Sequence, residues 1–313
     1  MKIYRNINDF HVENPILTIG SFDGVHLGHF KIINRLKEIA KQNNGESVIF
    51  TFYPHPRLVL FPGEKNLRLL TTLHEKIRLF QRAGIDHLII FPFTKEFSQL
   101  SYSEFVHHVL VEKLKIKTLV VGYDHKFGKN REGSYEMLLD LSQSFNFQLE
   151  KLDVLLMDDV NISSTKIRDA LQEGNVKRAN KYLGYPYTLH GHVVEGQKLG
   201  RKIQFPTANI EASDPNKLIP GFGVYAVFVN VGDEKHLGML NIGIRPTVNH
   251  NADHRSIEVH IIGFEGDLYH QEIELEFVAR IREEKKFSSI DELRAQLEDD
   301  KQVVLQTLAD SQQ

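Results

Sequence analysis

Apolar residues follow two regimes along this chain, and the change between them falls near residue 184. In the first, short continuous apolar runs alternate with stretches of helical spacing. Ile16-Leu-Thr-Ile19 and residues 47–52, 87–91 and 118–122 each predict a buried strand. Between them, Ile32, Ile33, Leu36, Ile39 and Ala40 recur at helical spacing over residues 30–41. Residues 72–83 and 103–114 predict further helices, and residues 165–183 a helix interrupted near Gly174 that ends at Gly184-Tyr-Pro186. Strands that are apolar on both faces and alternate with helices predict a parallel sheet covered on both sides.

Beyond residue 184 strands separated by turns dominate. Residues 188–194, 224–231, 236–242, 257–262 and 273–281 carry the strand pattern, with turn signals at 232–235 and 265–267. That texture predicts an antiparallel barrel or sandwich. The tail from Ile290 is helical and opens with a capping box, Ser289-x-x-Glu292. The expected organisation is an α/β domain over 1–183 and a β domain over 184–313. A chain of 313 residues is long enough for both.

Composition adds limits. The chain is 41% hydrophobic and 25% charged, ordinary for globular protein. A net charge of −3 implies no broad basic surface, which argues against a nucleic-acid partner. With no cysteine, disulfides and thiolate metal sites are excluded. The first residues carry no signal-peptide h-region, and no apolar run reaches membrane-span length. The expectation is a cytoplasmic protein with no membrane association and no evident protein partner.

The chemistry concentrates first at Gly20-Ser-Phe22-Asp23-Gly-Val-His26-Leu-Gly28-His29, between the first strand and the first helix. A glycine-bearing turn into a helix N-terminus presents free N–H groups to an anion, and two imidazoles three apart suit a nucleotide's phosphates. The same spacing also fits a helix start with solvated histidines, or a chelating pair, although the sequence offers no obvious third ligand. Phe52-Tyr-Pro54-His55-Pro56 turns the chain at the C-terminal end of the second strand, the edge where open α/β sheets bind ligands. Asp124, in Gly122-Tyr-Asp-His-Lys-Phe-Gly128, follows a later strand at that edge and could bind a ribose, a base edge or Mg²⁺. Ser163-Ser164-Thr165-Lys166-Ile-Arg168 opens another helix and is a second phosphate-ready device. Two such devices favour a polyphosphate ligand over ordinary caps with solvated cations.

In the second half, Gly200-Arg201-Lys-Ile-Gln-Phe205-Pro-Thr207-Ala-Asn209 is a cationic glycine-bearing loop whose Thr207 and Asn209 oxygens suit Mg²⁺. Glu258 alternates with Ile257, Val259 and Ile261, so it lies on the face opposite the apolar residues; a plain solvent-facing position is the other reading. Two further patterns fail their context. Gly221-Phe-Gly223-Val-Tyr-Ala226 opens a strand instead of a helix, and Gly191-His-Val-Val-Glu-Gly196-Gln197 lacks the Lys-Ser/Thr pair of a P-loop.

Taken together these segments resemble the bifunctional prokaryotic riboflavin kinase/FAD synthetase family, from about residue 16 to residue 300. The carriers are the segments at 20–29, 52–56, 162–168 and 200–209, with Gly223-Val-Tyr225, Asn241-Ile-Gly-Ile-Arg-Pro-Thr247 and Glu258-Val-His260. The resemblance implies a Rossmann-like nucleotidyltransferase domain followed by an antiparallel β-barrel with a terminal helix. The barrel would pass the γ-phosphate of Mg·ATP to riboflavin, with Gly200 and Arg201 in the nucleotide or flavin loop. There Thr207 and Asn209 would hold Mg²⁺ and phosphates, and Glu258 would be the general base. The first domain would join AMP from ATP to FMN. There His26 and His29 would contact phosphates beside Gly20, Phe22, Asp23 and Gly28. Ser164, Thr165 and Arg168 would close over them, and His55 and Asp124 would line the nucleotide and flavin site.

The chain departs from the family's pattern at His125 and Lys126, at Gly263 where an acidic residue is common, and at His270 where glycine is expected. Two rivals remain at this stage. One is an adenylyltransferase whose barrel only binds flavin. The other is a different small-cofactor nucleotidyltransferase, disfavoured by the barrel motifs. ATP, riboflavin and FMN are the implied small-molecule substrates.

Overall fold

The structure is a computed structural model that describes residues 1–311 except 64–66, 124–127, 130–131, 154, 158–159, 197–199, 201–202 and 245–254. It divides into two compact units, Met1–Ser163 and Ser164–Gln313.

The first unit is built on strands β1 (Lys2–Tyr4), β2 (Pro15–Ile19), β3 (Glu46–Tyr53), β4 (His87–Pro92), β5 (Thr118–Gly122) and β6 (Gln148–Leu152). They form one parallel sheet in the order β1-β4-β3-β2-β5-β6. Successive strand residues point to opposite faces, so two cores form. Ile16, Ile49, Leu88 and Val120 meet Ile33, Leu36 and Ile39 of α1 (Leu27–Gln42) and Phe80 of α3 (Leu73–Arg82), α2 being the short helix Pro56–Leu60. Leu17, Ile19, Val48 and Phe50 meet Val106 and Leu110 on the other face.

Val106 and Leu110 lie in a segment where the structure departs from the expected α-helix. After α4 (Tyr102–Glu104), residues Phe105–Lys113 are π-helical, and the Leu114 N–H reaches back five residues to the Val109 carbonyl at 3.0 Å. α5 (Tyr135–Ser144) leads into β6, and a small ribbon, β7 (Leu156–Met157) with β8 (Val160–Asn161), ends the unit. The chain leaves β2 towards β3 and β4, then returns to place β5 beside β2. That reversal opens a crevice at the C-terminal ends of β2 and β5.

The second unit begins with α6 (Ser164–Gln172) and α7 (Val176–Leu183), followed by β9 (Tyr187–Val194), β10 (Ala208–Ala212), β11 (Gly223–Val231), β12 (Glu234–Ile244), β13 (Arg255–Ile261) and β14 (Glu272–Arg282). These six strands close into a barrel in the order β10-β13-β12-β11-β14-β9. Tyr187, Leu189, Tyr225, Leu240, Leu275 and Phe277 are fully buried and fill the interior. The opposite face, with Val224, Ala226 and Met239, packs against Val304 and Leu308 of α8 (Ile290–Asp310). Asp300 of α8 receives the Arg282 guanidinium through Nε at 2.9 Å and Nη2 at 2.7 Å, a bidentate pair that fixes the helix to β14.

The pattern-based boundary near 184 and the division at Ser164 differ because α6 and α7 pack with the barrel. Val176, Ala179, Tyr182 and Leu183 are buried, and the Asn180 side chain donates to the Phe277 carbonyl and accepts from the Tyr187 N–H, each at 2.8 Å. The Gly221 N–H donates to the Leu171 carbonyl at 2.8 Å. Burying one large apolar side chain is worth roughly 1.5–3 kcal/mol. A fragment 164–313 is therefore expected to melt about 10 °C or more above a fragment 184–313. Equal melting temperatures by calorimetry would count against this packing.

Candidate active sites

At the crevice the chain leaves β2 through a turn that ordinary residues rarely make. Phe22 (φ +48°), Gly24 (φ +86°) and Val25 (φ +34°) all have left-handed backbone, and Phe22 and Val25 are nonetheless buried. Strain of this kind persists where the surroundings over-determine it, typically at ligand sites. Asp23 does the holding here: its carboxylate accepts from the N–H groups of Leu70 (3.0 Å) and Thr71 (3.1 Å), while the Thr71 hydroxyl accepts from the Gly24 N–H (3.0 Å).

The turn delivers His26 as the N-cap of α1, its Nδ1 accepting from the His29 N–H at 3.4 Å. The two imidazoles stack with centroids 3.7 Å apart and planes 16° from parallel. Stacked rings do not converge two lone pairs on one ion, which disfavours the chelating reading. Gly28 leaves room beside the stack, where a Cβ would press on the His26 ring at 3.1 Å; a Cβ at Gly20 would crowd Phe22 equally. His29 Nδ1 is enclosed and has no hydrogen-bond partner among the described residues. Burial, then repulsion from His26 and from Lys76, holds the His29 pKa well below its usual 6.5, so the ring is neutral at physiological pH.

His29 lines a cavity of about 940 Å³. Gly20, Phe22, His55 and Gly122 share its wall, and five further phenylalanines line it: Phe52, Phe61, Phe93, Phe97 and Phe105. Phe97 lies 5.9 Å from Phe52, 5.7 Å from Phe93 and 5.8 Å from Phe105, centroid to centroid, so these four rings form one connected cluster. Such a surface suits a planar heteroaromatic ring. His55 is buried and caps α2 by accepting from the Arg57 N–H at 3.2 Å. Asp124, with the departures at His125 and Lys126, lies outside the described residues. Ser164, Thr165 and Arg168 open α6; Thr165 is exposed and Arg168 half-buried.

One residue of this site escaped the sequence reading. Lys76 is buried, and its ammonium donates to the Ser21 carbonyl at 2.6 Å, beneath the turn. Burial lowers its pKa to about 8 against the pull of Asp23. Its signal was there: Lys76 lies on the apolar stripe of Leu73, Ile77 and Phe80 in α3, where a solvated lysine has no place. The unfolded chain holds this proton up to about 10.5 and the folded chain only up to about 8, so the burial cost is full below pH 8 and fades above it. Lys76→Met is accordingly expected to raise stability at pH 7, and the gain to shrink as pH rises from 8 towards 10.5. Urea unfolding at pH 7 and pH 10 measures this; a gain independent of pH would contradict it.

The second site lies on the barrel's outer face. The Gly200 carbonyl accepts from Ile203 N–H (3.2 Å) and Phe205 N–H (2.9 Å), and a Cβ at Gly200 would come within 2.1 Å of the Phe205 carbonyl oxygen, so the loop requires glycine. Arg201 lies outside the described residues. His260 pins the loop through Nδ1 to the Pro206 carbonyl at 2.8 Å, and burial lowers its pKa. Thr207 then donates its hydroxyl to Glu258 Oε2 at 3.3 Å. Glu258 stands in register with Asn209 on β10 and with Asn241 on β12, a polar row across three adjacent strands. Asn241 was quoted in the sequence only as part of a motif; register is what places it here. The Gly196 backbone approaches Asn209 so closely that a Cβ would overlap its amide.

A small cavity of about 100 Å³ adjoins the row, lined by Thr207, Asn209, Asp267, Leu268 and Tyr269 among others. Thr207, Asn209 and Glu258 supply hard oxygen donors side by side, the donor set that fits Mg²⁺. Next to this wall, His270 has φ +65°, left-handed backbone at the position where the family expects glycine, and Gly263 has φ +73°.

Comparison with known proteins first gives the class. Residues 10–166 match the family model for FAD synthetase and residues 183–308 that for riboflavin kinase, so the chain joins two transferase domains. It is 40% identical to the bifunctional riboflavin kinase/FMN adenylyltransferase of Listeria monocytogenes, over 92% of this chain and 91% of that protein. To the protein of the same name from Escherichia coli K12 it is 37% identical, over 95% of each. A crystal structure of a protein named macrolide-efflux protein, from Streptococcus pneumoniae, superposes with a TM-score of 0.87 at 30% identity, covering 96% of this chain and 97% of that one. Among the described residues no helix is long and apolar enough to cross a membrane. This chain belongs to the bifunctional riboflavin kinase/FMN adenylyltransferase family, the family its motifs resemble.

Proposed function

We propose that the two reactions of this family are divided between the two sites of this chain: the barrel converts riboflavin and ATP to FMN and ADP, and the α/β site converts FMN and ATP to FAD and pyrophosphate. The reading rests on one observation. Each unit has its own pocket, and the donors in each suit a different transfer.

At the barrel the nucleophile is an alcohol, which needs help with its proton. Glu258 takes that proton as the riboflavin 5′-oxygen bonds to the γ-phosphorus and the bond to ADP breaks. Thr207, donating to Glu258, fixes the carboxylate's direction and keeps hydroxyl lone pairs for a cation. Thr207 and Asn209 would hold Mg²⁺, which when bound would supply charge neutralisation for the transferring phosphoryl group.

At the α/β site the nucleophile is the FMN phosphate, already anionic near neutral pH, and no strong base is required. What the reaction needs is stabilisation of charge at the α-phosphorus while pyrophosphate leaves. The N-terminus of α1 and the neutral His29 N–H provide donors, and the buried Lys76 ammonium adds positive potential beneath the turn. The aromatic wall holds a planar ring of the flavin or the adenine.

Purified chain incubated with riboflavin, ATP and Mg²⁺, with products separated chromatographically, tests the assignment. FMN should form first and FAD follow. FAD formed from supplied FMN, with no FMN formed from riboflavin, would reduce the barrel to a flavin-binding module.

A further inference from the structure

We propose that His107, His108 and Glu112 form a binding site for one first-row transition-metal dication of the Zn²⁺ class, on the outer side of the π-helical segment Phe105–Lys113. Among the described residues it is the one cluster of histidine and acidic side chains whose ligand atoms all lie within 4.8 Å of one another. The Glu112 carboxylate reaches between the two imidazoles. Oε2 is 2.8 Å from His108 Nδ1, and Oε1 is 3.6 Å from His107 Nε2. Ligand atoms on a common tetrahedral Zn²⁺ sit roughly 3.3 Å apart, given metal–ligand bonds of about 2.0–2.2 Å. The observed separations straddle that spacing, and the three side chains are exposed enough to close the difference by small rotations.

The backbone explains why these residues meet. In an α-helix, residues i and i+5 are rotated by about 140° and face different ways. Where the hydrogen bonds run from i to i+5, as between Val109 and Leu114, residue 112 comes one turn above both 107 and 108. The cluster is thus a product of the π geometry, and a metal bound to all three would in turn favour that geometry over the α register. One ligand is already oriented: the His107 ring stacks on Phe145, centroids 5.0 Å apart and planes 18° from parallel. Two imidazoles and a carboxylate form a borderline donor set that selects Zn²⁺ over the hard Mg²⁺ of the barrel reaction. The buried end of the same segment is Phe105, part of the aromatic wall of the α/β cavity, so the clamp acts on an element of that site.

Titration calorimetry of the full chain with Zn²⁺, in excess Mg²⁺ and without nucleotide, is the test. The same chain carrying His107→Gln, His108→Gln or Glu112→Gln is compared alongside. The unaltered protein should bind one Zn²⁺ in a saturable step, and each substitution should weaken that step by about tenfold or more. Co²⁺ in place of Zn²⁺ should give the visible absorption of a low-symmetry, four- or five-coordinate ion. Circular dichroism establishes that the variants are folded. No saturable step, or one of equal affinity in folded His107→Gln and His108→Gln, overturns the proposal; so does a Co²⁺ spectrum identical in the unaltered protein and all three variants.

Discussion

His29→Ala is expected to lower FAD formation from FMN by about 10²–10³-fold, the usual cost of one preorganised donor, and to leave FMN formation from riboflavin nearly unchanged. The substitution is clean for structural reasons. His29 Nδ1 has no partner among the described residues, so its removal orphans none of them there. The His26 ring loses a stacking neighbour and the Phe22 ring an edge contact, at 3.7 and 5.1 Å between centroids. His29→Asn keeps an N–H donor and should recover part of the rate. The neutral state of His29 gives a second readout. The unfolded chain takes up this proton near pH 6.5 and the folded chain does so only well below it, so stability is lost as pH falls through the 6.5 region and beneath. His29→Ala should flatten that acid limb, and the imidazole resonances of His29 should show no transition at pH 6.5. Equal loss of both activities in folded His29→Ala would sink the two-site assignment.

How much of this could be read from the chain depended on burial. The inner strands β2, β3 and β5 are apolar on both faces, so their runs stood out and fixed a parallel sheet. The edge strands did not. β1 buries only Tyr4, and Gln148–Leu152 is mostly polar because one flank of β6 is open. β10 escaped for a similar reason: of its five residues only Ile210 is buried. The π segment gave no warning, since Phe105, Val106, Val109 and Leu110 satisfy helical spacing in either register.

The sites divide along the same line. Turn chemistry is local, so the segment from Gly20 to His29 could be found from its own residues. What each of them does there was not local. Asp23 was expected at the ligand, and its carboxylate is engaged by Leu70 and Thr71, 47 and 48 residues on. Lys76 belongs to the site only because α3 packs beneath the turn. The aromatic wall draws Phe93 and Phe97 from beyond β4, a stretch that carries none of the motifs. In the barrel, alternation placed Glu258 on the face opposite Ile257 and Val259, but Asn209 and Asn241 become its neighbours through strand register, which no local pattern encodes.

That register carries the second large prediction. Glu258→Gln is expected to cut kcat for FMN formation by about 10²–10⁴-fold, the range of a positioned general base acting on an alcohol. The replacement keeps the shape and one acceptor, so Thr207 still has a partner for the hydroxyl that now lies 3.3 Å from Oε2. The row from Asn209 through position 258 to Asn241 stays polar throughout, and Val259 remains buried in the barrel interior. What the amide cannot do is accept the proton. Riboflavin and Mg·ATP affinity should therefore change little, FAD formation from supplied FMN should not change, and the loss should fall on turnover. Thr207→Val is the contrasting variant. It removes the proposed cation ligand and the hydroxyl that donates to Glu258, so it should weaken Mg·ATP binding as well as turnover. If Glu258→Gln instead keeps kcat and loses only riboflavin affinity, the carboxylate binds substrate and the alcohol reacts without a base. Phosphoryl transfer would then rest on positioning and charge neutralisation alone, which loose transition states of this kind permit.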